Sequence, residues 1–218
     1  MTMLYHKNDA VLYGRLSHNL TATANIGGAI TYNTFITVRR DSGVEDHLPL
    51  SFPGCAAGSD PYRLRGQMVR VLGEMRSYNR SDSDEGHRHR VTVWADDIQT
   101  TSEPYGQIVR MQGVICKLPY YRETPTREVC DLMIAVDAPG KESYIPVICW
   151  GMTARRMANA QVGDMVELEG RFQSREYRKK LDVFEANGEK VCVTRTAYEI
   201  SAKTCRVIGM VRRRLIAE

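Results

Sequence analysis

The sequence repeats itself at a spacing of about a hundred residues, and that repeat limits the available folds more than any other feature. Val11-Leu-Tyr-Gly14-Arg-Leu16 returns as Val109-Arg-Met-Gln-Gly113-Val-Ile115, and Phe35-Ile-Thr-Val38 returns as Leu132-Met-Ile-Ala-Val136. His47-Leu-Pro-Leu50 matches Tyr144-Ile-Pro-Val147, and Gly66-Gln-Met-Val-Arg-Val-Leu-Gly73 matches Gly163-Asp-Met-Val-Glu-Leu-Glu-Gly170. Val93-Trp-Ala-Asp-Asp-Ile98 is paired with Arg195-Thr-Ala-Tyr-Glu-Ile200. The offsets are 98–99, 97, 97 and finally 102, so the order is kept while loops change length. Five matches in one order mean a duplicated domain, and 218 residues leave about a hundred for each copy.

Each copy reads as β-strands. Met68-Val-Arg-Val-Leu and Met165-Val-Glu-Leu-Glu-Gly-Arg-Phe alternate apolar with polar, as half-buried strands do. Residues 29–38 and 128–136 are rich in β-branched and aliphatic side chains, and Asp41-Ser-Gly43, Ala138-Pro-Gly140 and Asn187-Gly188 supply turns. Five strands in such a length suit a Greek-key barrel, so the expected fold is all-β, two tandem five-stranded OB-folds. Residues 152–160 carry Ala, Met and Arg at helical spacing and predict a short helix between strands three and four of the second copy. Their counterpart, residues 53–61, is broken by Gly and Pro and predicts a loop or single turn. The expected division is a first domain over 1–102, a second over 103–202, and a basic C-terminal segment over 203–218.

Composition adds limits rather than direction. No run approaches the roughly 20 apolar residues of a membrane span, and the first seven residues lack a signal-peptide core, so a cytoplasmic protein is expected. The six cysteines form no C-x-x-C pair, which argues against structural zinc and a disulfide framework. From Ser201 onward stand five basic residues and one acid; removing them from totals of 30 and 26 leaves 25 of each. The first 200 residues are therefore neutral, and charge alone points only weakly to nucleic acid.

Binding a single nucleic-acid strand needs aromatic platforms and cations on one exposed sheet face. Tyr144 and Trp150 lie six residues apart on one predicted strand and share a face, while Val147 and Cys149 point to the core. On the next strand Phe172 shares core parity with Val166 and Leu168, which leaves Arg171, Arg175 and Tyr177 outward. Packing of Trp150 and Tyr144 against the helix or a partner subunit is the competing explanation. A second patch gathers Lys117, Tyr120, Tyr121, Arg122 and Arg127, although Tyr120 alone would also fit as a plug of the barrel mouth.

These segments resemble the bacterial single-stranded DNA-binding protein family. Gly113-Val-Ile-Cys-Lys-Leu-Pro-Tyr-Tyr-Arg122 is similar to that family's first-strand block, and Ile134-Ala-Val136 to the end of its second strand. Tyr144-Ile-Pro-Val-Ile-Cys-Trp-Gly151 followed by Ala154 resembles its third strand and helix start, and residues 163–177 resemble its fourth strand most strongly. The resemblance implies base stacking on Tyr144, Trp150 and Tyr177. It also implies that tandem-barrel chains pair as homodimers with four barrels, and that replication or recombination proteins are possible partners. No cofactor or metal is implied.

Two departures stand out. The family's acidic, phenylalanine-tipped tail is replaced by Arg212-Arg-Arg-Leu-Ile-Ala-Glu218. In the first copy, Tyr144, Trp150 and Tyr177 map to His47, Pro53 and Arg80, so its stacking platform is expected to be lost; Tyr78 with Arg76 offers a smaller site. His87-Arg-His89-Arg90 fits a solvated turn better than a metal pair, and Asp96-Asp97 lacks companions for catalysis. The expected function is binding and protection of single-stranded DNA without strong sequence preference, not catalysis. The alternative is an OB module of the primosome type that acts mainly through protein contacts.

Overall fold

A computed structural model describes residues 7–24, 28–79, 89–138, 141–184 and 190–210. The first copy contains β1 (Asn8–Leu16), β2 (Thr21–Ala24), β3 (Ile30–Arg39), β4 (Glu45–Pro53), β5 (Met68–Asn79) and β6 (His89–Thr100). The second contains β7 (Gly106–Ile115), β8 (Tyr120–Thr124), β9 (Arg127–Ala138), β10 (Lys141–Trp150), β11 (Asp164–Phe184) and β12 (Lys190–Met210). The strand order is β2-β3-β4-β6-β5-β1-β7-β11-β12-β10-β9-β8, with β3 closing on β1 and β9 on β7. Each copy is thus a closed five-stranded barrel of the OB type with one added short strand, β2 or β8, on its rim. Tyr120–Thr124 of the second patch form β8, which pairs with β9 as a hairpin.

Alternation carries the cores. Leu12, Leu48, Leu50, Phe52, Val69, Val71 and Met75 fill the first barrel; Met111, Ile134, Ile145, Val147, Val166 and Phe172 fill the second, all essentially without exposure. The helix α1 (Gly151–Met157) sits where the sequence places one, and buries Ala154 and Met157. In the first copy two 3-10 turns, Gly54–Ala57 and Pro61–Leu64, replace it. The last strand continues through Lys203 to Met210, where Arg206 pairs with Glu167 in register, so the front of the expected basic segment is barrel strand. The turns at 139–140 and 187–188, residues Arg80 and 82–87, and the arginines at 212–214 lie outside the described residues.

The two barrels meet through antiparallel pairing of β1 with β7, Asn8 opposite Met111, Ala10 opposite Val109 and Leu12 opposite Gln107. This register is a pseudo-two-fold. With the offset of 99 that relates Gly14 to Gly113, Asn8 corresponds to Gln107 and Leu12 to Met111, and Ala10 with Val109 lies on the axis. Side chains repeat the symmetry: Asn8 Nδ2 donates to the Met75 carbonyl, while the Phe172 N–H donates to Gln107 Oε1. Two further bonds cross the seam as a symmetric pair. The Ser77 N–H donates to Ser143 Oγ at 3.1 Å, and the Ser174 N–H donates to Asp46 Oδ1 at 2.9 Å.

Candidate nucleic-acid interface

Beside the seam the second barrel opens into a groove of about 1220 Å³. Its floor comes from β11 and β12, one side from the β8–β9 turn and α1, and the other from the β3–β4 hairpin of the first barrel. Trp150 ends β10 at the groove, with its Nε1 donating to Ser201 Oγ at 3.2 Å and the Arg127 guanidinium carbon 5.7 Å from its ring centre. A fixed indole edge and a cation over the ring suit a π-stacking surface.

The cations around it fall into two groups. Arg40, Arg155 and Arg175 are held by Asp46, Glu128 and Glu199. Arg127, Arg171 and Lys203 form no ion pair among the described residues, and all three line the groove. Burial, and then the neighbouring Arg40 guanidinium, push Arg171 below the usual arginine value. It stays protonated at neutral pH. Asp46, which pairs with Arg40, acts in the opposite sense on Arg171, and a phosphate in the groove would add to it.

Arg40 is placed by burial rather than by chance. Asp46 is fully buried and grips Arg40 at 2.7 and 2.6 Å through both carboxylate oxygens, while its Oδ1 also takes the Ser174 N–H. One carboxylate therefore pins the hairpin cation of the first barrel to the floor strand of the second.

The structure divides the residues singled out from sequence. Trp150, Arg171, Arg175 and Arg127 meet in the groove. Tyr177 follows Arg175 on β11, half-buried, with the Arg175 guanidinium 5.9 Å from its ring centre. Tyr144 does not join them. Six residues along β10 amount to about 20 Å, and Tyr144 sits at the far end, 41% exposed, its N–H donating to Ser77 Oγ of the first barrel. Tyr144 and Trp150 thus share a strand face but stand at opposite ends of β10, Trp150 in the groove and Tyr144 beside the seam.

The second patch is also divided. Tyr121 packs against the core and its hydroxyl donates to Glu128. Arg122 is held by Asp131 at 2.6 Å, and Lys117 is exposed. In the first barrel Tyr78 is 41% exposed, and the Arg76 guanidinium carbon lies 4.4 Å from the ring centre of Trp94. Sequence reasoning passed over Arg40, Arg155, Lys203 and Trp94. Lys203 was hidden in the supposed basic segment, and Arg40 was visible only as the residue before a turn.

Residues 107–208 match the model described as the single-strand binding protein family. That match spans the second barrel, a little under half of the chain. Across nearly the whole chain the fold is that of two structures of the single-stranded DNA binding protein from Thermus aquaticus. A deletion mutant aligns with a TM-score of 0.71 at 18% identity, covering 94% of this chain and 96% of that one. The wild-type protein aligns with a TM-score of 0.70 at 20% identity, covering 93% of each. Comparison with curated proteins found no match. The groove with Trp150 thus lies on the barrel that the family model matches, walled by a hairpin from its tandem partner.

Proposed function

We propose that the chain binds single-stranded DNA in this groove, without strong sequence preference, and that it acts by binding rather than by catalysis. The observation that carries the proposal is Trp150, locked edge-on to Ser201 and covered by Arg127, in a groove with three cations that form no ion pair among the described residues. An aromatic face accepts any base, and the cations follow the phosphates, so affinity without base readout is the expected outcome. A homodimer with four barrels, working in replication, repair or recombination in the cytoplasm, is the setting proposed for it.

Fluorescence anisotropy of a dye-labelled oligo(dT) tests the reading. Trp150→Ala weakens binding by about 1–3 kcal/mol, the range for loss of one stacking platform. Arg171→Gln lowers the slope of log affinity against log salt by about 0.7, one phosphate contact on a single strand. Binding to duplex as tight as to oligo(dT), or none to oligo(dT) at low salt, overturns it. Tighter binding to oligo(rU) moves the substrate to RNA.

A further inference from the structure

The first barrel retains an indole at the place where the second barrel keeps Trp150, although it comes from a different strand. Equivalence of the last strands follows from their neighbours. Val93 pairs with Met75 and lies parallel to Leu50; Ile200 pairs with Phe172 and lies parallel to Val147. Met75 and Phe172, like Leu50 and Val147, are separated by 97 residues, the spacing of the two copies, so Val93 corresponds to Ile200 and Trp94 to Ser201. Glycines confirm the register: a Cβ on Gly73 would fall 2.0 Å from the Trp94 carbonyl oxygen, and one on Gly170 would fall 2.4 Å from that of Ser201.

Ser201 is the residue on which the Trp150 indole rests. In the first barrel the Trp150 position is Pro53, and the Ser201 position, one strand over, is Trp94. The small and the large side chain have changed places across the same strand pair. Both tryptophans are half-buried, and each has an arginine over its ring, Arg127 on Trp150 and Arg76 on Trp94. Arg76 is turned by Glu74 at 2.5 Å so that its guanidinium lies across the indole. A guanidinium plane on an indole is itself a stacking surface for a base. Tyr78, 41% exposed, follows on the same strand, and the serine interlock at the seam brings the equally exposed Tyr144 to the neighbouring residue, Ser77.

We infer that Trp94, with Arg76 and Tyr78, is a second base-stacking site, carried by the first barrel and entered past Tyr144. The inference rests on the single-strand binding reading and adds a second platform to it. Because Glu74 neutralises the local cation, this site works by stacking more than by charge, and its loss leaves the salt slope unchanged.

The chain has only two tryptophans, so Trp150→Phe makes Trp94 the sole indole. The full-length variant is titrated with dye-labelled oligo(dT) of roughly 32 nucleotides, long enough for two barrels, while dye anisotropy and indole emission are read together. The expected result is rising anisotropy with quenching of Trp94, and photo-crosslinking of an iododeoxyuridine oligonucleotide to Trp94. Rising anisotropy with unchanged emission and crosslinks confined to the second barrel overturns the second site and leaves the groove intact. Flat anisotropy for both this variant and the parent protein overturns the binding reading itself. Trp94→Ala, in protein shown by circular dichroism to be folded, lowers affinity about tenfold for this oligonucleotide with no change in salt slope.

Discussion

Asp46 has no exposed surface, yet it is a carboxylate at the seam of two barrels. A buried charge is tolerated only when its acceptors are filled, and Arg40 and Ser174 fill them. Asp46→Ala removes the carboxylate and strands a partly buried guanidinium and a partly buried backbone N–H. The expected cost is about 3 kcal/mol of stability, read as a lower urea midpoint with an unchanged slope. Arg40 is then released from the groove wall, so oligo(dT) affinity falls as well; an unchanged midpoint would show that the seam does not depend on this contact. Nothing in the sequence marks Asp46, since an aspartate between Glu45 and His47 reads as solvated surface. Trp150, Arg171 and Arg175 were legible for the opposite reason, because period-two parity alone separates them from Cys149 and Phe172. The charges that come from elsewhere, Arg40 above all, were not legible, since no local pattern reports that Asp46, which holds Arg40, bonds to Ser174 128 residues away.

At the scale of the strand, β12 shows where sequence comparison fails. Similarity of short motifs sets Trp94 against Thr196 with an offset of 102, whereas pairing sets it against Ser201 with an offset of 107. A difference of five, an odd number, exchanges the two faces of a strand. The error arose because β11 and β12 run 21 residues each while β5 and β6 run 12, so the long hairpin absorbs the extra residues. The barrel strands themselves were recognisable from alternation, and so was the helix after Trp150. The bulge at Gly170 keeps this register, because only a residue without Cβ lets β11 approach the Ser201 carbonyl. Gly170→Ala therefore destabilises the fold by about 2 kcal/mol. Gly209→Ala on the same hairpin, where a Cβ meets nothing within 4 Å, is the control and changes little. Thermal melts of the two variants compare them directly; equal effects would mean that the bulge does not hold the strand.

On the scale of the molecule, the pseudo-two-fold through Ala10 and Val109 gives the chain the plan of a dimer with its two halves written in series. In a true dimer each substitution appears on both sides of the axis, and Asp46 would face its own copy of Ser77. Here the two halves have parted: Asp46 stands against Ser143, Pro53 against Trp150 and Trp94 against Ser201. The groove of the second barrel gathers cations that form no ion pair among the described residues, and the first barrel holds an indole under a neutralised arginine. The homodimer proposed above predicts sedimentation at twice the 24.7 kDa chain mass; a species of one chain mass at micromolar protein would refute it. Within one chain, by contrast, the β1–β7 seam should show a melting temperature independent of concentration.

That last point follows from the few residues, 101–105, that join β6 to β7. A short tether holds its ends at an effective concentration in the millimolar range, far above any level of protein in an assay or a cell. Two separate barrels joined by the same strand pairing would drift apart as they were diluted. Here a molecule alone in solution keeps its hairpin wall against the groove it completes, so its readiness to bind does not vary with how much of it is present.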